Sequence, residues 1–98
     1  MALVSTMVAV VGTLALAHVA EIGLWAAGMA LVGAVGPEEG PLYFAFVSYT
    51  TLGYGDVLAA RAWRLLGPAA AMNGVLLFGW STAVIFHVLA DTVRRARR

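Results

Sequence analysis

Two long apolar runs enclose a short stretch that breaks their pattern. From Ala2 to Val35 the only ionisable side chains are His18 and Glu21, and from Leu65 to Ala90 the only one is His87. A helix that crosses a membrane needs ~20 mostly apolar residues. Both runs exceed that, with length to spare for tilt. Two such helices, with almost nothing polar to cover them, do not make a water-soluble fold. The spacing predicts one span over about residues 2–33 and another over about 65–93.

Between them, "GPEEGP" (Gly36 to Pro41) has the glycine and proline content of a loop. Pro41 suits the first turn of a new helix, where its missing N–H costs nothing. Glu38 and Glu39 precede that start, where the helix dipole favours negative charge. The helix itself is "PLYFAFVSYT", residues 41–50. At 1.5 Å per residue it reaches ~15 Å, about half the hydrocarbon thickness. It enters a membrane without crossing it, and the segment "TLGYGD" (51–56) follows at that depth. Non-helical backbone there must be buried in protein or line a water-filled path.

Residue types in that segment point to a pore lining. Carbonyls aimed at one axis replace the hydration shell of a cation. Successive carbonyls of an ordinary strand point in opposite directions, so aligning them needs some residues at positive φ. Glycine accepts this without steric cost, which accounts for Gly53 and Gly55. Leu52 and Tyr54 would point away from the axis and hold the opening at fixed width. Thr51 would add its hydroxyl as one more oxygen layer. The competing reading is an extracellular hairpin turn between two unrelated helices.

Composition supports the membrane. Apolar residues make up 62% and charged ones 11%, against roughly 45–50% and about 25% in globular proteins. The net charge of +1 gives no ground for nucleic-acid binding, and with no cysteine there is no disulfide frame or thiolate metal site. Arg94, Arg95, Arg97 and Arg98 crowd the C-terminus. They place it in the cytoplasm by the positive-inside rule, against Arg61 and Arg64 on the other side. The N-terminus is then cytoplasmic too, in the plasma (inner) membrane. The same arginines suit contact with anionic lipid, at ~1 kcal/mol per basic residue. A signal peptide ending near "ALA" (15–17) is the rival for the first run. It lacks a basic start, and the apolar stretch continues past it.

The segment "TTLGYGD" resembles the selectivity-filter signature of potassium channels, with Leu52 where the common form has valine. The order of span, short helix, filter and span is similar to that of the two-transmembrane, one-pore-loop bacterial potassium channels, over nearly the whole chain. The resemblance implies an all-α membrane protein. Two transmembrane helices flank a re-entrant pore helix and filter loop, assembled as a homotetramer that passes K+ down its gradient. It implies ion sites at Thr51, Leu52, Gly53 and Tyr54. Thr50, Gly55 and Asp56 support the filter and its outer mouth, and Gly74 is the hinge. It also places Val75, Phe78, Thr82 and Phe86, one helical stripe, along the inner pore, with Phe86 as a gate. K+ in the filter is the only ion implied. No cofactor, reaction chemistry, arginine-rich voltage sensor or cytoplasmic ligand-binding domain is expected. The sequence departs from several relatives in having Val47 where they carry a carboxylate, and Tyr43 and Phe44 where they carry tryptophan. A looser ring of hydrogen bonds around Tyr54 follows. A non-selective cation channel of the same architecture and a non-conducting scaffold or accessory subunit are the alternative functions.

The remaining polar residues have no place in that motif. Asn73 and Ser81, eight apart, share a helix face and suit bonds to a neighbouring helix. His18 and Glu21, three apart, are neighbours near the middle of the first span. An ionisable pair inside a membrane is a functional candidate by default. The expectation is a structural pair fixing the outer helix to the inner one through Asn73 or Trp80, with a proton sensor as the alternative. His87 is too far along its helix to join them in a metal site. Trp63 suits an interfacial anchor.

Overall fold

A computed structural model describes residues 2–98. Three α-helices carry the fold: α1 (Ala2–Leu31), α2 (Pro41–Tyr49) and α3 (Leu66–Ala96). Single 3-10 turns cover Pro37–Glu39 and Arg61–Trp63, and among the described residues there is no strand. The molecule is all-α and elongated, 58 × 21 × 19 Å. Both α1 and the segment Arg61–Ala96 are long and apolar enough to cross a membrane.

α1 ends in a Schellman motif. Gly33 takes φ +75°. Its N–H reaches the Ala30 carbonyl at 3.2 Å, and the Ala34 N–H reaches Met29 at 2.9 Å. These bonds satisfy carbonyls that the helix end would otherwise leave free. Met29 and Ala34 are both buried, which supplies the apolar contact typical of the motif. The "GPEEGP" loop contains a turn of 3-10 helix, and Gly40 at φ +80° swings the chain into Pro41 at the start of α2.

The register of the helices follows from their cross-links. His18 meets Ser81, and Trp25 meets Asn73. Moving up α1 means moving down α3, so the two are antiparallel and both chain ends lie at one end of the bundle. α2 descends from the opposite end. Phe44 in its first half packs against Gly67, while Tyr49 at its last turn packs against Gly74 and His18. Nine residues give α2 ~14 Å of length, so it stops at mid-depth. The chain then climbs back, and the Ala60 N–H closes the excursion on the Ala34 carbonyl at 2.7 Å.

α3 continues beyond residue 93, to Ala96, with an Asp91–Arg95 ion pair at 3.0 Å spanning its last turns. Such i,i+4 pairs stabilise a helix end. The core is a thin seam where the three helices meet: Ile22, Ala26 and Met29 from α1, Phe44, Ala45 and Tyr49 from α2, and Ala70 from α3. Most other large apolar side chains face outward, including Leu24, Leu31, Leu65, Leu76 and Trp80.

Gly74 is the tightest point of the seam. A methyl group there would run into the Tyr49 backbone carbonyl, which cannot swing aside like a flexible side chain. Overpacking of this kind costs typically 1–3 kcal/mol, about enough to loosen α2 from α3. Gly12, on the open face of α1, has nothing within 4 Å. Thermal unfolding of the detergent-solubilised protein is the check. Gly74→Ala lowers the midpoint, and Gly12→Ala leaves it unchanged or raises it.

Candidate functional site

The segment 51–56 hangs from the C-terminal end of α2. Thr50 ends the helix, its hydroxyl donating to the Phe46 carbonyl at 2.6 Å. The Thr51 N–H then bonds the Ser48 carbonyl at 3.0 Å and the Gly53 N–H bonds Val47 at 3.2 Å. These bonds pin the start of the segment against the helix it has just left.

Backbone handedness alternates along it. Thr51, Gly53 and Gly55 have φ of +63°, +61° and +81°, while Leu52 and Tyr54 between them do not take positive φ. Alternation of this sort turns successive carbonyls toward one side, which an ordinary strand cannot do. Glycine takes the left-handed region freely. Thr51 does not, and a non-glycine residue held there carries about 1–3 kcal/mol of strain. It is the only non-glycine residue at positive φ among those described. Its hydroxyl donates to the Thr50 carbonyl at 2.6 Å, leaving lone pairs on Oγ1 free to face a cation.

Nothing in the single chain covers this segment. Thr51 to Asp56 are all exposed, Leu52 at 55% and Tyr54 at 69%. Behind them lies an open cleft of about 620 Å³ between α2, the segment and the start of α3, lined by Phe44, Val47, Ser48, Gly67 and Ala71 among others.

At the outer end, the Tyr43 hydroxyl donates to Asp56 Oδ2 at 2.6 Å. Val47 offers no carboxylate, but a tyrosine in the first turn of α2 reaches the same aspartate. The mouth therefore has an anchor that the absent carboxylate and tryptophan did not suggest. Tyr43 sits above its usual pKa of 10.0, first because its proton is held by Asp56 and then through partial desolvation and the carboxylate's charge.

At the inner end, Tyr49 is fully buried and joins all three helices. Its hydroxyl donates to Glu21 Oε1 at 2.9 Å and lies 2.8 Å from His18 Nδ1. Nδ1 is also 3.0 Å from Glu21 Oε1, and Nε2 is 2.7 Å from Ser81 Oγ. Because the Tyr49 proton goes to the carboxylate, its oxygen accepts, so Nδ1 carries the imidazole hydrogen. The Phe78 ring lies against His18, with centroids 4.4 Å apart, and against Tyr49 at 5.4 Å. His18 and Glu21 do tie α1 to α3, but through Tyr49 and Ser81 rather than Asn73 or Trp80. Asn73 instead accepts from Trp25 Nε1 at 3.0 Å, about two turns nearer the loop end. Tyr49 was not singled out by the sequence. The signal lay in need: a buried pair of ionisable groups requires a hydroxyl partner, and α2 offers few.

On α3, Val75, Thr82 and Phe86 are exposed along one stripe, while Phe78 turns partly inward onto the network. Gly74 serves here as a point of close approach. His87 is exposed, and no group of three or more metal-ligating side chains occurs among the described residues.

No curated protein and no solved structure matches this sequence. The sequence profile of a family described as "Ion channel" does match, over residues 39–91. That range begins just before α2, takes in the alternating segment and runs through most of α3, more than half of the chain. A half-length helix, a returning segment of alternating handedness and a long apolar helix are the parts such a pore requires, and the chain belongs to the two-transmembrane ion channel family of membrane proteins.

Proposed function

We propose that four copies of the chain assemble around a common axis into a potassium-selective pore. The observation that carries this reading is the alternation of φ at Thr51, Gly53 and Gly55 on an uncovered segment at mid-depth. A ring of four such segments stacks carbonyls of Thr51, Leu52, Gly53 and Tyr54 into successive cation sites, with the Thr51 hydroxyl as a further layer. K+ is the permeant ion and sheds its water there.

Assembly also resolves the exposure. Backbone left open at membrane depth lacks partners and costs several kcal/mol per group. The cleft behind the segment suits Leu52 and Tyr54 of a neighbouring copy, which would hold the ring at fixed width. The C-terminal ends of the α2 helices, partial negative charges, would then converge below the ring and favour a cation. Val75, Thr82 and Phe86 line the inner pore in this arrangement, with Phe78 behind them. Phe86 closes it by dewetting, and Gly74 is the hinge. Gly55, Asp56 and Thr50 support the ring. The arginines of the C-terminus favour a cytoplasmic location for both chain ends in the plasma membrane, against anionic lipid.

The outer anchor has a pH consequence. A tyrosine raised above its unfolded value contributes stability that is fully present below that value and lost as pH rises through the folded one. The Tyr43–Asp56 bond thus holds at neutral pH and is lost in alkali as the phenol ionises. Spectrophotometric titration of wild type against Tyr43→Phe isolates this group: the difference curve titrates above 10.0. A difference curve centred at the usual tyrosine value shows that the bond is not made.

Potassium flux into vesicles containing the purified protein tests the main reading. Wild type carries K+ and excludes Na+, giving a reversal potential that follows the K+ gradient. Gly53→Ala or Gly55→Ala abolishes selective flux, because each residue sits where L side chains are strained. A reversal potential indifferent to which cation is present means an unselective pore. Absence of flux means a scaffold.

A further inference from the structure

The network at the foot of α2 has no part in the conduction path just described, yet it touches every helix that forms that path. We propose that His18, Glu21, Tyr49 and Ser81 form a proton-binding site within the membrane, and that its charge sets how many cations the inner pore holds. The proposal rests on the reading of the chain as a cation pore.

The hydrogen bonds accept two protonation states in one geometry. With a neutral imidazole, Nδ1–H faces the Tyr49 oxygen and Glu21 Oε1, and the Ser81 hydroxyl donates to Nε2 across 2.7 Å. Adding one proton reverses only the last bond. Nε2–H then donates to Ser81 Oγ, whose own hydrogen turns to another acceptor. No heavy atom has to move. The first state carries the carboxylate charge alone, one negative unit. The second is a neutral imidazolium–carboxylate pair.

Nothing else nearby compensates that charge. From α1 only His18 and Glu21 face the site, from α2 only Tyr49, and from α3 the uncharged Ser81 and Phe78. The next titratable group on α3 is His87, six residues below Ser81 and ~9 Å further along the axis. Asp91 and Arg95 beyond it are already paired. The Glu21 side chain is one-third exposed in the single chain and lines two clefts between α1 and α3, of about 510 and about 250 Å³.

The site is also close to the pore. Tyr49 lies two residues before Thr51. The Phe78 ring, on the same stripe of α3 as Val75 and Thr82, lies 4.4 Å from the imidazole. A charge one ring away in low-dielectric surroundings acts strongly on a cation. Clefts of one sign raise local counter-ion concentration by ~10–10³. The negative state therefore favours conduction and the protonated state reduces it.

The experiment uses the purified, assembled protein in vesicles, in a His87→Gln background so that His18 is the only imidazole. K+ flux is measured between about pH 8 and about pH 5, the range in which histidine changes charge. In parallel, the 15N resonances of His18 are followed over the same range. The expected result is a fall in flux of about tenfold on acidification, the low end of the counter-ion effect, at the pH where the His18 nitrogens shift. Glu21→Gln removes the carboxylate charge, so its flux is already low at about pH 8, where the parent protein conducts well. Flux that ignores pH in the His87→Gln background overturns the proposal, as does Glu21→Gln flux at about pH 8 equal to that of the background. Should Glu21→Gln fail to assemble, a flux transition at a pH where the His18 resonances do not move overturns it as well. Absence of K+ flux at every pH overturns the channel reading, and this proposal with it.

Discussion

A main chain that stops being helical inside a membrane has to be covered by something, and this requirement governs the molecule. α2 is nine residues long and cannot reach the far side. Its end leaves Thr51 to Asp56 at depth, with Leu52 and Tyr54 exposed. Lipid offers no hydrogen bonds. One chain is therefore an incomplete object, and its three-helix seam is too thin to bury the segment. Ion-channel membership and the proposed ring of four segments are two sides of the same constraint: the backbone that needs partners is also the backbone that can offer carbonyls to a cation.

Holding such a segment in place calls for anchors above and below it. The chain supplies both with tyrosines of α2. Tyr43 ties the outer end through Asp56, and Tyr49 ties the inner end through Glu21 and His18. Their spacing of six residues places one at each end of the short helix. Interhelical polar bonds in membranes average about 0.6 kcal/mol and rarely exceed ~1.7. Neither tyrosine alone fixes the segment, but the strain at Thr51 is of similar size. A few modest bonds are thus matched to a modest cost, which leaves the segment responsive to small changes in its supports.

The sequence made the architecture legible because the relevant signals are local. Two long apolar runs, a proline at the start of a half-length helix and glycines at alternate positions each act through the residues that carry them. Gly53 and Gly55 at positive φ follow from that logic. Thr51 at positive φ does not, since threonine avoids that region and only its bonds within the turn, to Ser48 and Thr50, hold it there. The cross-links were less legible for the opposite reason. The separation of His18 and Glu21 fixed their mutual proximity, but their partners depend on how α3 is rotated and how far it slides along α1. The contact of Gly74 with the Tyr49 carbonyl sets both. It aligns Ser81 with His18 and moves Asn73 up to Trp25. Tyr49, within a motif dominated by its glycines and threonines, gave no sign of a hydroxyl reaching α1.

That same contact explains why α1 matters to a path it does not line. Tyr49 presents two faces: its carbonyl abuts Gly74 on α3, and its hydroxyl is held by α1. A shift of α3 at Gly74 cannot leave the tyrosine backbone where it is. A change in the His18–Glu21 pair acts on the same residue from the other side. Both arrive two residues before Thr51, where the backbone is already strained. The close approach of α3 at Gly74 and the polar bonds of α1 therefore meet on one residue, and Tyr49 links the two long helices directly.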